Sequence, residues 1–404
     1  MNLKIISQTR FRLSPILVII LTIFIDITGF GIVIPLLPFY ATSFQAGSAA
    51  LGILVASFAI MQFAFAPLLG RLSDRVGRKP VLMISIATSA ASFMLFAPAN
   101  SFLILLLSRL VAGMATETAV AQAYMADVTK EEDRATGMGR LGAAFGVGFI
   151  IGPAIGGVLS VYGFWAPGVA AVILTLLNLL FVFFFLPESL DRGRKGLRRE
   201  SYAKGGYVGG LRSALATPLI GATLTIVFII ILAFSAIPVI APLLGVSFFG
   251  LGAVEMSYVF MYIGLVQIVL QGFLFGKLVR KFREEKFIVF GPLLMSVGMF
   301  TMPMVPSILI FLVSITMIAL GIGILDAAIP SFISKRTLKS EQGGMLGVSQ
   351  SVSSIARVPG PLIGGFVFEF VGLVAPFLLS SALLIVAFIL GCRIFHVCRR
   401  QASL

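Results

Sequence analysis

The sequence predicts an all-α membrane protein of twelve transmembrane helices arranged as two pseudo-symmetric six-helix bundles, on three observations. Apolar residues fill 59% of the 404 positions and charged residues only 11%, where a soluble domain carries about 45–50% and about 25%. The basic residues collect in alternate loops, and short glycine motifs recur about half a chain apart.

A bilayer crossing needs about 20 mainly apolar residues. Twelve stretches qualify: 13–40, 49–72, 81–97, 102–128, 139–161, 167–186, 218–244, 254–279, 287–305, 308–334, 345–371 and 375–395. The apolar run after Arg12 is too long for a cleavable leader and lacks a small-residue cleavage site, so span 1 is expected to remain in the protein.

All but two of the 30 Lys and Arg residues lie on one side of this pattern. Lys4, Arg10 and Arg12 precede span 1; Arg71, Arg75, Arg78 and Lys79 follow span 2; Lys130, Arg134 and Arg140 follow span 4. Further groups lie between spans 6 and 7, 8 and 9, and 10 and 11, and Arg393, Arg399 and Arg400 close the chain. By the positive-inside rule both termini are cytoplasmic, in a multi-pass protein of the cell membrane. A net charge of +14 would suggest a nucleic-acid partner in a soluble chain. Here topology accounts for it, so no nucleic acid is expected, and the basic loops are expected to meet membrane lipids.

Gly152-Pro-Ala-Ile-Gly-Gly157 in span 5 recurs as Gly360-Pro-Leu-Ile-Gly-Gly365 in span 11, an offset of 208. Gly70-Arg-Leu72 recurs as Gly276-Lys-Leu278, an offset of 206. Two similar offsets at corresponding places imply a duplication: an N-terminal bundle over 1–186, a basic cytoplasmic linker over 187–217 and a C-terminal bundle over 218–404. An even number of spans per half makes the repeats parallel, and such carriers bind substrate between the halves near the midplane. In the linker, Leu197, Tyr202, Tyr207 and Leu211 could rest on headgroups while arginines contact lipid phosphate.

The segment Gly70-Arg-Leu-Ser-Asp74-Arg75-Val-Gly77-Arg78-Lys-Pro80 joins spans 2 and 3. Gly70 removes a side chain where two helices must approach, Gly77 permits a tight turn, and Asp74 can accept hydrogen bonds from the arginines or face a helix N-terminus. In span 5, Gly148, Gly152 and Gly156 recur every four residues and leave one bare helix face, with Pro153 inviting a bend and Gly157 beside it.

The embedded charges bear most directly on function. A carboxylate at mid-bilayer costs about 2.5–3.5 kcal/mol on insertion scales, so it is expected to face a cavity or a partner. Asp26 in span 1 and Glu117 in span 4 fall at similar depth. Arg109 precedes Glu117 by eight residues, about 12 Å along a continuous helix and on roughly the same face, so the three could form one polar site. Burial raises a carboxyl pKa and a nearby cation lowers it; acids balanced this way can exchange protons with whichever side they face. The alternative is a fixed salt bridge to Arg109. In the second half, Asp326 in span 10 and Arg357 in span 11 could pair or act separately in gating. Gln62, Gln267 and Gln271 could line a polar path or bond between helices. Glu255 and Glu369, near helix ends, are expected to be solvated.

The loop from Gly70 to Pro80 resembles the loop 2–3 signature of the major facilitator superfamily. Span 5 resembles that superfamily's antiporter motif, span 4 with Arg109 and Gly113 its proton-transfer motif, and Asp26 to Pro38 the start of twelve-helix drug:proton antiporters, tetracycline exporters among them. The resemblance implies the major facilitator fold, a monomer, and proton-coupled efflux of an amphipathic small molecule by alternating access. It also implies that the Gly70–Arg78 loop, with Asp127 as a second acid, latches the cytoplasmic side against span 11, and that the glycine face of span 5 seals a seam against span 8. Two features depart from it. The second-half loop Gly276–Lys286 has no Asp corresponding to Asp74, and Glu117 is an acid the span 4 motif does not require.

No Gly-x4-Gly-Lys-Ser/Thr appears, and His396 is the sole histidine. No cofactor, metal site or enzymatic activity is expected, and Cys392 and Cys398 read as thiols at one helix end rather than a disulfide. Two other readings remain open: uptake or facilitated diffusion of a metabolite, sugar or lysolipid, and a non-transporting sensor or scaffold.

Overall fold

A computed structural model describes residues 13–130, 133–189, 217–270, 283–304, 307–337 and 342–402. The basic residues before span 1, nearly all of the linker, Gln271 and the second-half loop as far as residue 282 lie outside them.

Among the described residues the helices group into twelve successive rods. In the first half these are α1 (Pro15–Ser43), α2 (Ser48–Val76), α3 (Arg78–Phe96), α4 (Phe102–Val128), α5 (Arg134–Ser160) and α6 (Trp165–Phe185). In the second they are α7 (Pro218–Phe249), α8 (Ala253–Val269), α9 (Glu284–Thr301), α10 (Ile308–Lys335), α11 (Gln342–Ala356, continuing as Pro359–Phe370) and α12 (Ala375–Ala402). Among the described residues nine helices are long and apolar enough to cross a membrane, and Ala253–Val269 is a shorter apolar helix.

The interruptions have local causes. Pro35 and Pro38 lie where α1 tightens into a single 3-10 turn, Ile34–Leu36. Pro359 cannot donate to the preceding turn, and α11 breaks just before it. In α4 the backbone at Ala115 is extended (φ −79, ψ 126), and the helix restarts at Glu117.

Within the first half α1 packs on α5 and α6, and α3 on α4 and α6; within the second, α9 packs between α10 and α12, and α7 on α11 and α12. The halves meet along two seams, α5 on α8 and α2 on α11. Both are built from glycines in the same way. Gly152 and Gly156 lie against the backbone of α1, while Gly157 faces Ser257 on α8. In the repeat, Gly360 and Gly364 lie against α7, while Gly365 faces Ser48 and Gly52 on α2. One residue turns a helix by about 100°, so adjacent glycines serve different neighbours. The expectation that the 148–152–156 face of span 5 lies against span 8 is thereby corrected: that face packs on α1, within its own half.

The halves are close at one end only. A core including Ile32, Tyr40, Leu51 and Leu54 is continuous with the second half. Toward the end bearing Arg78, Lys335 and Arg399, the first half has a separate core around Ile19, Val81, Leu82, Tyr124 and Val182. There, Gly70 on α2, Gly139 and Gly142 on α5, and Gly347 on α11 each have open space where a side chain would project. The rods therefore splay toward the basic face. Leu177, Phe183 and Phe184 are among many large apolar side chains left on the outside of the bundle, as a lipid-facing surface requires.

Candidate functional site

Asp26 on α1, partly buried, is within electrostatic range of Glu117 on α4. Glu117 is only 4% exposed. As first residue of the restarted helix, its carboxylate accepts a hydrogen bond from Ser89 Oγ on α3 at 2.7 Å. Two further buried hydroxyls on these elements, Ser85 Oγ and Thr116 Oγ1, have no hydrogen-bond partner among the described residues. On α6, Asn178 Nδ2 donates to the carbonyl of Thr22, one turn before Asp26 on α1. The two acids therefore share a buried polar neighbourhood supplied by α1, α3, α4 and α6.

Arg109 is placed differently from its expected position on the Glu117 face. The break at Ala115 and Thr116 ends the continuous helical register on which that expectation rested. Arg109, 3% exposed, lies over the ring of Phe58 at 5.1 Å and forms no ion pair with Asp26 or Glu117 among the described residues. Phe58 stands 5.2 Å from Phe30, which lies 6.3 Å from Phe149, itself stacked on Phe145. This chain of rings links α2, α1 and α5 beside the arginine.

In the second half Asp326 and Arg357 remain accessible and sit within range of each other's charge without a direct ion pair among the described residues. Tyr262 on α8 and Thr316 on α10 share a hydrogen bond at 2.8 Å.

The loop between α2 and α3 is organised around Arg78, a buried guanidinium with three partners: Asp74 at 2.7 Å, Asp127 at 2.9 Å and Ser73 Oγ at 2.6 Å. Gly77 has φ +128, a conformation open to glycine, and a side chain there would run into Glu188. Glu188 is a residue that sequence reasoning missed. Its carboxylate accepts hydrogen bonds from the backbone N–H of Arg78 (2.9 Å) and Lys79 (3.1 Å), the first amides of α3. Arg75 is exposed. Gly70 meets no other helix, contrary to expectation, because the halves diverge at this end.

The second half carries a comparable group. Glu284 at the start of α9 binds Lys335 at the end of α10 and accepts from Ser331 Oγ at 3.0 Å; Glu285 pairs with Arg336 at 2.8 Å. Arg336 also lies over Phe332 and donates to Cys398 Sγ. Both cysteines are free thiols. Glu255 and Glu369 are exposed yet not simply solvated. Glu255 accepts from Gly252 N–H within its own helix start, and Glu369 accepts from Ala49 N–H on α2.

Twelve rods, two glycine-built seams between halves, and ionisable groups enclosed between helices define a multi-pass membrane carrier. The chain belongs to the Major Facilitator Superfamily, whose model matches residues 19–291 and 268–403. It is 33% identical over 360 residues to the class E tetracycline resistance protein of Escherichia coli, covering 88% of each chain. It is 27% identical over 372 residues to multidrug resistance protein 2 of Bacillus subtilis (strain 168), covering 92% of each. Its fold is similar to that of a bacterial homologue of the human lysosomal transporter Spinster, with a TM-score of 0.73, 16% identity and 98% of each chain covered. It is a transporter and not an enzyme.

Proposed function

We propose that this protein exports an amphipathic small molecule in exchange for protons, with Asp26 and Glu117 as the proton-carrying groups. The observation that carries the reading is their proximity within one enclosed site. Two carboxyls in mutual range titrate as a pair, and a carboxylate inside the membrane is costly enough that a working role is the default expectation. Ser89 holds the Glu117 carboxyl in place. Arg109, clamped over Phe58, forms no fixed salt bridge with either acid among the described residues, and Asp326 and Arg357 bind or gate from the opposite half. Relatives named for tetracycline and multidrug resistance support efflux of small molecules.

The protein is a monomer in the cell membrane with both termini in the cytoplasm, and its basic face meets anionic lipid rather than nucleic acid. On that sidedness the conformation is open to the cytoplasm. The Asp74–Arg78–Asp127 group, with Gly70, Arg75 and Gly77, latches this face in the opposite state. Gly148, Gly152, Pro153, Gly156 and Gly157 hold α5 closely against α1 and α8, limiting leak. The test is flux in proteoliposomes. An imposed pH gradient drives substrate movement, while Asp26→Asn and Glu117→Gln each abolish the response to the gradient. Flux indifferent to the gradient, or a response unchanged in both variants, rejects proton coupling.

A further inference from the structure

The α2–α11 seam has unlike ends. At the basic end Gly70 and Gly347 face open space. At the far end a Cβ on Gly52 would stand 2.5 Å from the carbonyl of Pro361, and Gly365 lies against Ser48 and Gly52. Over this contact sits Glu369, in the last turn of α11. Its Oε2 accepts the backbone N–H of Ala49 at 2.7 Å, and its carboxylate covers Gly47 so closely that a side chain there would collide.

Ala49 N–H is among the first amides of α2, which have no acceptor within their own helix. The residue before the helix is Gly47, which has no side-chain oxygen to serve as a cap. An acid from the other half thus supplies what the local sequence omits. The charge favours the positive end of the helix dipole, and the hydrogen bond is charge-assisted. Geometry of this kind exists only while α2 and α11 touch, so opening the far face must break it.

We propose that Glu369 is the latch of the far face: it holds that side shut while the basic face is open, and its release is a required step in turning the carrier around. The contact joins the halves at the end opposite Asp74, which lies on the same helix α2. The two latches then act in alternation, one for each state. This rests on the sidedness proposed above, under which the far face is extracellular.

The test uses the full-length protein in lipid nanodiscs, with Cys392 and Cys398 replaced by Ser and spin labels at Thr42→Cys and Val371→Cys, exposed positions on opposite halves. The parent gives a predominantly short distance. Glu369→Ala moves population to a longer distance by about five- to tenfold in the short:long ratio, and Glu369→Gln, which keeps an acceptor but loses the charge, by about two- to threefold. An unchanged distribution in Glu369→Ala, or an equal shift in both variants, overturns the latch. Sidedness is read separately in intact cells with a membrane-impermeant thiol reagent on Val371→Cys. Protection from external reagent would refute the topology, whereas the distance measurement would still decide the latch.

Discussion

The two halves brace their basic ends with opposite charges. In the first, Arg78 at the start of the third helix binds Asp127 at the end of the fourth. In the second, Glu284 at the start of α9 binds Lys335 at the end of α10. Position 284 follows 78 by 206 residues and 335 follows 127 by 208, the offsets of the glycine repeats. What the duplication retains is a tie between two helix ends, and the sign is free to invert. The ties differ in surroundings. Arg78 is buried and serves three partners, whereas the Lys335 side chain is 62% exposed.

That contrast sets the order of expected effects. Arg78→Ala is the most damaging change, because it removes one guanidinium from both Asp74 and Asp127 and leaves Ser73 Oγ without that donor, while the backbone bonds to Glu188 remain. Removing one partner of a buried ion pair costs about 3–5 kcal/mol. With the Asp74 side chain 48% exposed, a figure near about 3 kcal/mol is expected here. Thermal unfolding in detergent should show a large loss of stability. Arg78→Lys should recover little, since one ammonium cannot reproduce the fork that reaches Asp74, Asp127 and Ser73. Full recovery by Lys would reduce the tie to a point charge and remove the distinction between halves.

How much was legible in the sequence depended on whether a residue acts through composition, spacing or contact. Span order and the duplication follow from hydropathy and spacing, and the structure bears out the helical architecture; the glycine spacing of span 5 marked a close-packed face but not which helix lies against it. The Arg78 cluster was legible because Asp74, Ser73 and Arg78 are neighbours along one loop. Glu188 was not, because it arrives from 110 residues away to bind a backbone, and no side-chain pattern marks such a site. Ser89 escaped for a similar reason, since a serine in an apolar run reads as helix packing. Arg109 misled because the break at Ala115 contains neither Gly nor Pro. The second-half loop does lack an Asp corresponding to Asp74, and the brace from Glu284 to Lys335 went unnoticed because its two ends lie 51 residues apart.

The milder change is Glu284→Gln, which leaves Lys335 free to turn to water. Discounted for that exposure, the cost is about 0.5–1 kcal/mol, read as a small fall in the unfolding midpoint with transport retained. A loss as large as that of Arg78→Ala would mean the second tie is as tightly held as the first, and the contrast would fail.

The smallest effect, and the sharpest test of sign inversion, is the exchange of partners. Glu284→Lys combined with Lys335→Glu should recover most of the stability that either change alone removes, because it restores opposite charge; the position at 284, with its side chain 9% exposed against 62% for Lys335, is the tighter of the two and keeps recovery short of the parent. One term works against full recovery: a cation at the start of α9 opposes the helix dipole, at about 0.3–1 kcal/mol. Glu285, beside it at the same helix start, offsets part of that. The same exchange in the first half, Arg78→Asp with Asp127→Arg, should not recover, since it sets a new acid beside Asp74 and against the Glu188 carboxylate, which lies past the end of α6 and binds the start of α3. Measuring both exchanges side by side therefore separates a tie defined by position from one defined by its particular partners, and equal recovery in the two halves would show that the first-half cluster has no special claim on Arg78.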